Sequence, residues 1–114
     1  MNKQIAEQWS TALRSGEYKQ GGFMLLCNNH FCCLGVLCDL HAKETGNHWV
    51  GVEDSNERKY FDEPGFLPQE VKNWAEMNSH DGSLGGTTLA YLNDNSGFSF
   101  KSIADIIDKN WEDL

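Results

Sequence analysis

The stretch Phe31-Cys32-Cys33-Leu34-Gly35-Val36-Leu37-Cys38-Asp39-Leu40 decides the fold. Read at 100° per residue, Cys33, Leu34, Leu37, Cys38 and His41 form one stripe, and Val36 and Leu40 widen it. A helix apolar on most of its faces is a buried one. Residues 32–43 are therefore expected to form the central helix, with Gly46 as its stop. The apolar run Phe31–Cys38 is eight residues long, far short of the ~20 that cross a bilayer.

Outward on the N-terminal side, Ile5, Ala6, Trp9, Ala12 and Leu13 mark an amphipathic helix over 3–14, with Gly16 as its stop. Residues 23–27 read as a buried strand, 28–30 as a turn, and Phe31 as the return of a hairpin. On the C-terminal side, residues 49–52 and 58–61 read as two strands joined by the acidic loop 53–57. Leu67-Pro68 opens a helix with Pro at its first position and Val71, Trp74 and Ala75 inward. Residues 78–86 read as loop and 87–92 as a short helix. Ser99 caps a last helix over 100–112, with Phe100, Ile103, Ala104, Ile107 and Trp111 inward. The expected class is α+β: one domain, a small antiparallel sheet of two hairpins, and four to five helices packed on it.

With 114 residues, 39% of them hydrophobic, the chain has the material for one core. Its 17 acidic residues against 9 basic ones give a net charge of −8. That balance argues against nucleic acid and against anionic membranes as partners. Leu89–Ile107 has the outline of a helix-turn-helix, but its second helix carries Asp105 and Asp108, so DNA reading is not expected. The start of the chain has no apolar leader segment, and a cytoplasmic location is expected. In that compartment Cys27, Cys32, Cys33 and Cys38 default to reduced thiols. They lack a CxxC pair, so packing in the core is expected, with a zinc-supported fold as the alternative and no other cofactor.

Two constellations carry chemistry. The first is Cys32 or Cys33 at a helix start, where the dipole favours a thiolate, followed by His48. Phe31–Val36 with His48–Val52 resembles papain-like cell-wall peptidases, which would make His48 the base of a hydrolase or transferase. The gap of about 15 residues is short for that family, and no third polar group follows on a later strand. The second is Arg14-Ser-Gly-Glu-Tyr18-Lys19-Gln20-Gly-Gly, in which two cations beside an aromatic could hold phosphates. Asn93 and Asp94 add candidate polar contacts. The paired carboxylates Glu53/Asp54, Asp62/Glu63 and Glu112/Asp113 read as an acidic surface suited to a basic partner.

Residues 31–40, the Leu13-Arg14-Ser15-Gly16…Tyr18…Gln20 segment and Leu92-Asn93-Asp94…Ser99-Phe100…Ile103-Ala104-Asp105…Ile107 together resemble a group of small proteins common in bacteriophage and prophage genomes. The resemblance spans nearly the whole chain. It implies a phage accessory protein, acting in the bacterial host cell by stoichiometric binding rather than catalysis. The expected target is a nucleotide-like signal or a basic host protein. For the former, Arg14, Tyr18, Lys19, Gln20, Asn93 and Asp94 are the expected contacts. So small a chain has little room for a pocket of several hundred Å³, so such a site is expected between subunits of a homo-oligomer.

Overall fold

The computed structural model describes residues 1–114. It has the α+β architecture, with its core built around α2 (Cys33–Thr45). All the stripe residues from Cys33 to Cys38 are buried, as are His41 and Ala42. Gly46 ends the helix in the left-handed conformation (φ 78°), its N–H bonded to the Ala42 carbonyl at 2.9 Å. One glycine within α2 is demanded by space. A Cβ at Gly35 would lie 1.9 Å from the Leu25 carbonyl oxygen, so only a bare Cα lets the helix approach that segment.

α1 (Lys3–Arg14) spans the expected residues, capped by the Asn2 side chain on the Ile5 N–H at 3.0 Å. It packs along α5 (Phe100–Asn110), which Ser99 caps through the Ser102 N–H. Trp9 is wholly buried between them and α2, and its indole N–H donates to the Cys33 carbonyl at 2.9 Å. A single 3-10 turn, Trp111–Asp113, follows α5 and places the buried Leu114.

The main sheet has five short strands: β1 (Lys19–Gln20), β2 (Leu26–Cys27), β3 (His30–Phe31), β4 (Val50–Gly51) and β5 (Glu57–Lys59). Their order is β1-β3-β2-β5-β4. The two expected hairpins, β2–β3 and β4–β5, are present and joined antiparallel through β2 and β5. Asn28 and Asn29 both take positive φ (53° and 63°), the backbone twist a two-residue hairpin needs. β1 joins as a parallel edge strand beside β3, so the sheet is mixed rather than purely antiparallel.

Several boundaries differ from the sequence reading; the strand expected over 58–61, for one, is Glu57–Lys59. The strand expected over 23–27 is confined to Leu26–Cys27, and Phe23 stands exposed at φ 68°. Pro68 is the N-cap of α3 (Gln69–Ala75) rather than its first residue, an offset of one position. Residues 83–88 make a small hairpin, β6 (Ser83–Leu84) and β7 (Thr87–Thr88), turning on Gly85-Gly86. The short helix expected at 87–92 begins only at α4 (Leu89–Asp94), because Thr88 is extended and caps it through the Tyr91 N–H. No helix is long and apolar enough to cross a membrane.

Candidate functional site

The thiols are sealed. Cys32, the N-cap residue of α2, is 3% exposed, and Cys33 is 0% exposed. Burial pushes the Cys32 thiol up to about 11, outweighing the helix-start N–H groups of Gly35 and Leu34 that pull it down. Burial raises Cys33 and Cys38 as well. His48 is exposed in the segment before β4, without a hydrogen bond to either thiol. The pairing of Cys32 or Cys33 with His48 therefore lacks both access and a thiolate. The reason is that the helix start is itself inside the core, where loss of solvation exceeds the dipole's effect. Cys27 is half-buried on β2, and no three His, Cys, Asp or Glu side chains converge as a metal site would require.

The segment Arg14–Gln20 is pulled apart. Arg14 forms two 2.7 Å ion pairs, with Asp105 and Asp108, clasping α1 to α5. Those hydrogen bonds, Asp105 first, raise the guanidinium pKa. Tyr18 donates to Asp39 at 2.6 Å and accepts from Lys43 at 3.0 Å, and its ring meets Phe31 edge-on. Asp39 also accepts the Trp49 indole N–H at 3.1 Å. Lys19 alone of the group points free, on the edge strand β1, where a cation discourages strand pairing.

Gln20, Asn93 and Asp94 do come together, as a structural joint. The buried Asn93 accepts from the Cys33 N–H (3.2 Å) and the Gln20 amide (2.9 Å). It donates to the Gly21 carbonyl (2.9 Å) and to Asp94 (2.8 Å). Gln20 also donates to the Phe98 carbonyl (2.8 Å) and accepts the Phe100 N–H (3.1 Å). Asp94 accepts the Phe23 N–H at 2.9 Å. Two amides, Asn93 and Gln20, thus tie β1, α2, α4 and the approach to α5, and no buried side-chain polar atom is left without a partner. These groups have no bonding capacity left for a ligand's phosphates.

Around this joint the surface carries aromatics. Phe23 is 63% exposed, Phe66 54%, Tyr91 55% and Phe98 37%. Phe23 hangs from Asp94 through its N–H, and Phe98 from Gln20 through its carbonyl. Gly65, next to Phe66, packs against the Phe23 carbonyl, and the Pro64 carbonyl accepts the Leu25 N–H at 2.8 Å. Tyr91 stands one helical turn before Asp94 on α4. A bulky residue at φ 68° is a strained one, costing about 1–3 kcal/mol. Sequence reading assigned Phe23 to a core strand; only the preceding Gly21-Gly22 hinted at a turn. The widest concavity, about 570 Å³, is an open groove beside α1 lined by Gln4, Glu7, Gln8, Thr11 and Leu40 among others.

A family model described as a domain of unknown function, DUF8296, matches residues 1–111. The chain belongs to the DUF8296 family. The match takes in α1 through α5, and with them the joint at Asn93 and every aromatic around it. No curated protein and no solved structure matches the chain.

Proposed function

We propose that this DUF8296 protein is a phage-encoded accessory protein that works in the bacterial host cytoplasm by docking onto a basic host protein, in a counter-defence or host-takeover role. The observation that carries this reading is Phe23, a large apolar side chain held in solvent at a backbone angle that favours glycine. Strain of this kind persists where function uses it. The aromatics Phe23, Phe66, Tyr91 and Phe98 are the residue types that anchor protein interfaces. The net charge of −8 favours a basic partner and would steer its approach. The resemblance to phage proteins supports the setting. Sequestration of a nucleotide-like signal has less support, because the polar groups expected to hold it, Lys19 excepted, are spent on the fold.

The test pairs native mass spectrometry with one variant. The protein purified from bacterial cells is weighed natively, alone and with the host protein that co-purifies with it. A complex of fixed stoichiometry is expected, with an association rate that falls steeply with salt. Phe23→Gly should abolish the complex while leaving folding stability unchanged or up to ~1 kcal/mol higher, since glycine relieves the left-handed strain. A homo-oligomer carrying nucleotide-sized extra mass, or full binding by the Phe23→Gly variant, would overturn the reading.

A further inference from the structure

A second polar site lies on the main sheet and shares no residue with the aromatic surface. Leu26 on β2 and Arg58 on β5 are paired across the sheet, and Asn28 and Asn56 continue those two strands into the adjoining turns. The register places Leu26 opposite Arg58, and the Asn28 N–H bonds the Asn56 carbonyl at 3.1 Å. The two hairpins therefore align these four residues side by side. With Asn29 they line a cleft of about 170 Å³.

The chemistry of the cleft is of one kind. Arg14, the only other arginine, is occupied by two carboxylates. Arg58 forms no ion pair; its sole hydrogen bond is a 3.3 Å contact to the neighbouring Glu57 carbonyl. The side-chain amides of Asn28, Asn29 and Asn56 make no bond within the protein, so they face the cleft with donors to spare. No carboxylate lines it. Glu57 alternates to the other face, opposite Cys27. The floor is held in place. Asn28 and Asn29 are fixed by the hairpin turn, and the Asn28 carbonyl accepts the His30 ring N–H at 2.9 Å.

We propose that this cleft binds a phosphate group, free or carried on a nucleotide. A guanidinium forms paired, charge-assisted bonds to phosphate oxygens, and the three amides would donate to the remaining oxygens. The volume suits a single phosphate and not a whole nucleotide, so a base or sugar would extend beyond it.

The experiment is a titration of the ¹⁵N-labelled protein with inorganic phosphate and, separately, with AMP. It follows the side-chain amides of Asn28, Asn29 and Asn56 and the Nε of Arg58. Saturable shifts confined to these four residues are expected. Both Arg58→Gln and Asn56→Asp should weaken the affinity by about tenfold or more. Both positions are exposed, so the rest of each spectrum should be unchanged. AMP binding at least tenfold tighter than phosphate would support a nucleotide-borne group; equal affinity would support the free anion. The same shifts from sodium chloride at matched ionic strength, or unaltered affinity in Arg58→Gln, would overturn the assignment.

Discussion

Replacing Gly35 by alanine reverses the usual rule for helices. In an ordinary helix interior this change stabilises by roughly 0.5–1 kcal/mol, because glycine loses more freedom on folding. Here the added methyl would sit 1.9 Å from the Leu25 carbonyl oxygen and 2.7 Å from its carbon. Carbon–oxygen contacts settle at about 3.3–3.6 Å, so α2 and the Leu25 segment must separate by roughly 1.5 Å. Both obstructing atoms are backbone, so no rotamer change relieves the clash. The separation breaks the Cys32 N–H bond to Leu25 (3.3 Å) and loosens a helix whose every early side chain is in the core. Overpacking alone costs about 1–3 kcal/mol, occasionally more, and the lost bond about 1. Against the propensity gain, the net destabilisation is about 1–3.5 kcal/mol. In urea, where a small domain loses about 1–3 kcal/mol per molar, the midpoint should fall by about 0.5–2 M. Gly86→Ala is the control: nothing lies within 4 Å of its added Cβ and its φ is not positive, so its midpoint should hold or rise slightly. A Gly35→Ala protein as stable as the parent would refute the close approach.

Asn93→Ala removes four hydrogen bonds from one buried position and strands the Cys33 N–H; a loss of about 2–4 kcal/mol is expected by urea unfolding, and a change under ~0.5 would mean that the joint is ornamental. Burial pulls the His41 pKa below 6.5, with Glu44 and Glu70 opposing more weakly. The unfolded chain then takes up this proton at higher pH than the folded one. The stability His41 contributes is complete above about 6.5 and is lost as pH falls through its lowered folded value. Unfolding midpoints measured from pH 7.5 to 5 should show the decline, and His41→Gln should flatten it. With Cys32 raised to about 11 and Cys33 and Cys38 buried, an aromatic disulfide reagent should titrate Cys27 first and the other three only on unfolding. Rapid modification of Cys32 or Cys33 in the native protein would restore the nucleophile reading.

What was legible in the sequence is what local pattern encodes. α1, α2 and α5 each announce an apolar stripe, and Ser99 and Gly46 mark ends of α5 and α2 by residue type. The hairpin at Asn28-Asn29 is legible for the same reason. β1 was missed because two exposed residues have no period, and its pairing depends on His30–Phe31, already committed to β2. Gln20, Asn93 and Asp94 read in the sequence as candidate ligand contacts, but their partners lie some 70–80 residues away. Spacing cannot show that such groups are already satisfied. Arg58 escaped notice because it reads as an ordinary strand residue, and only the pairing of β5 with β2 brings it beside the Asn28-Asn29 turn.

The clasp between Arg14 and Asp105, 91 residues apart in sequence, has a consequence for synthesis. The apolar face of α1 is made well before α5, the helix that covers it. At about 5–20 residues per second, Trp9 waits roughly 5–20 s for α5 to arrive. During that interval α2 also waits for α3 and α4, and the nascent chain is a substrate for chaperones and proteases. Messages broken or stalled before the segment encoding α5 should therefore yield no stable fragment.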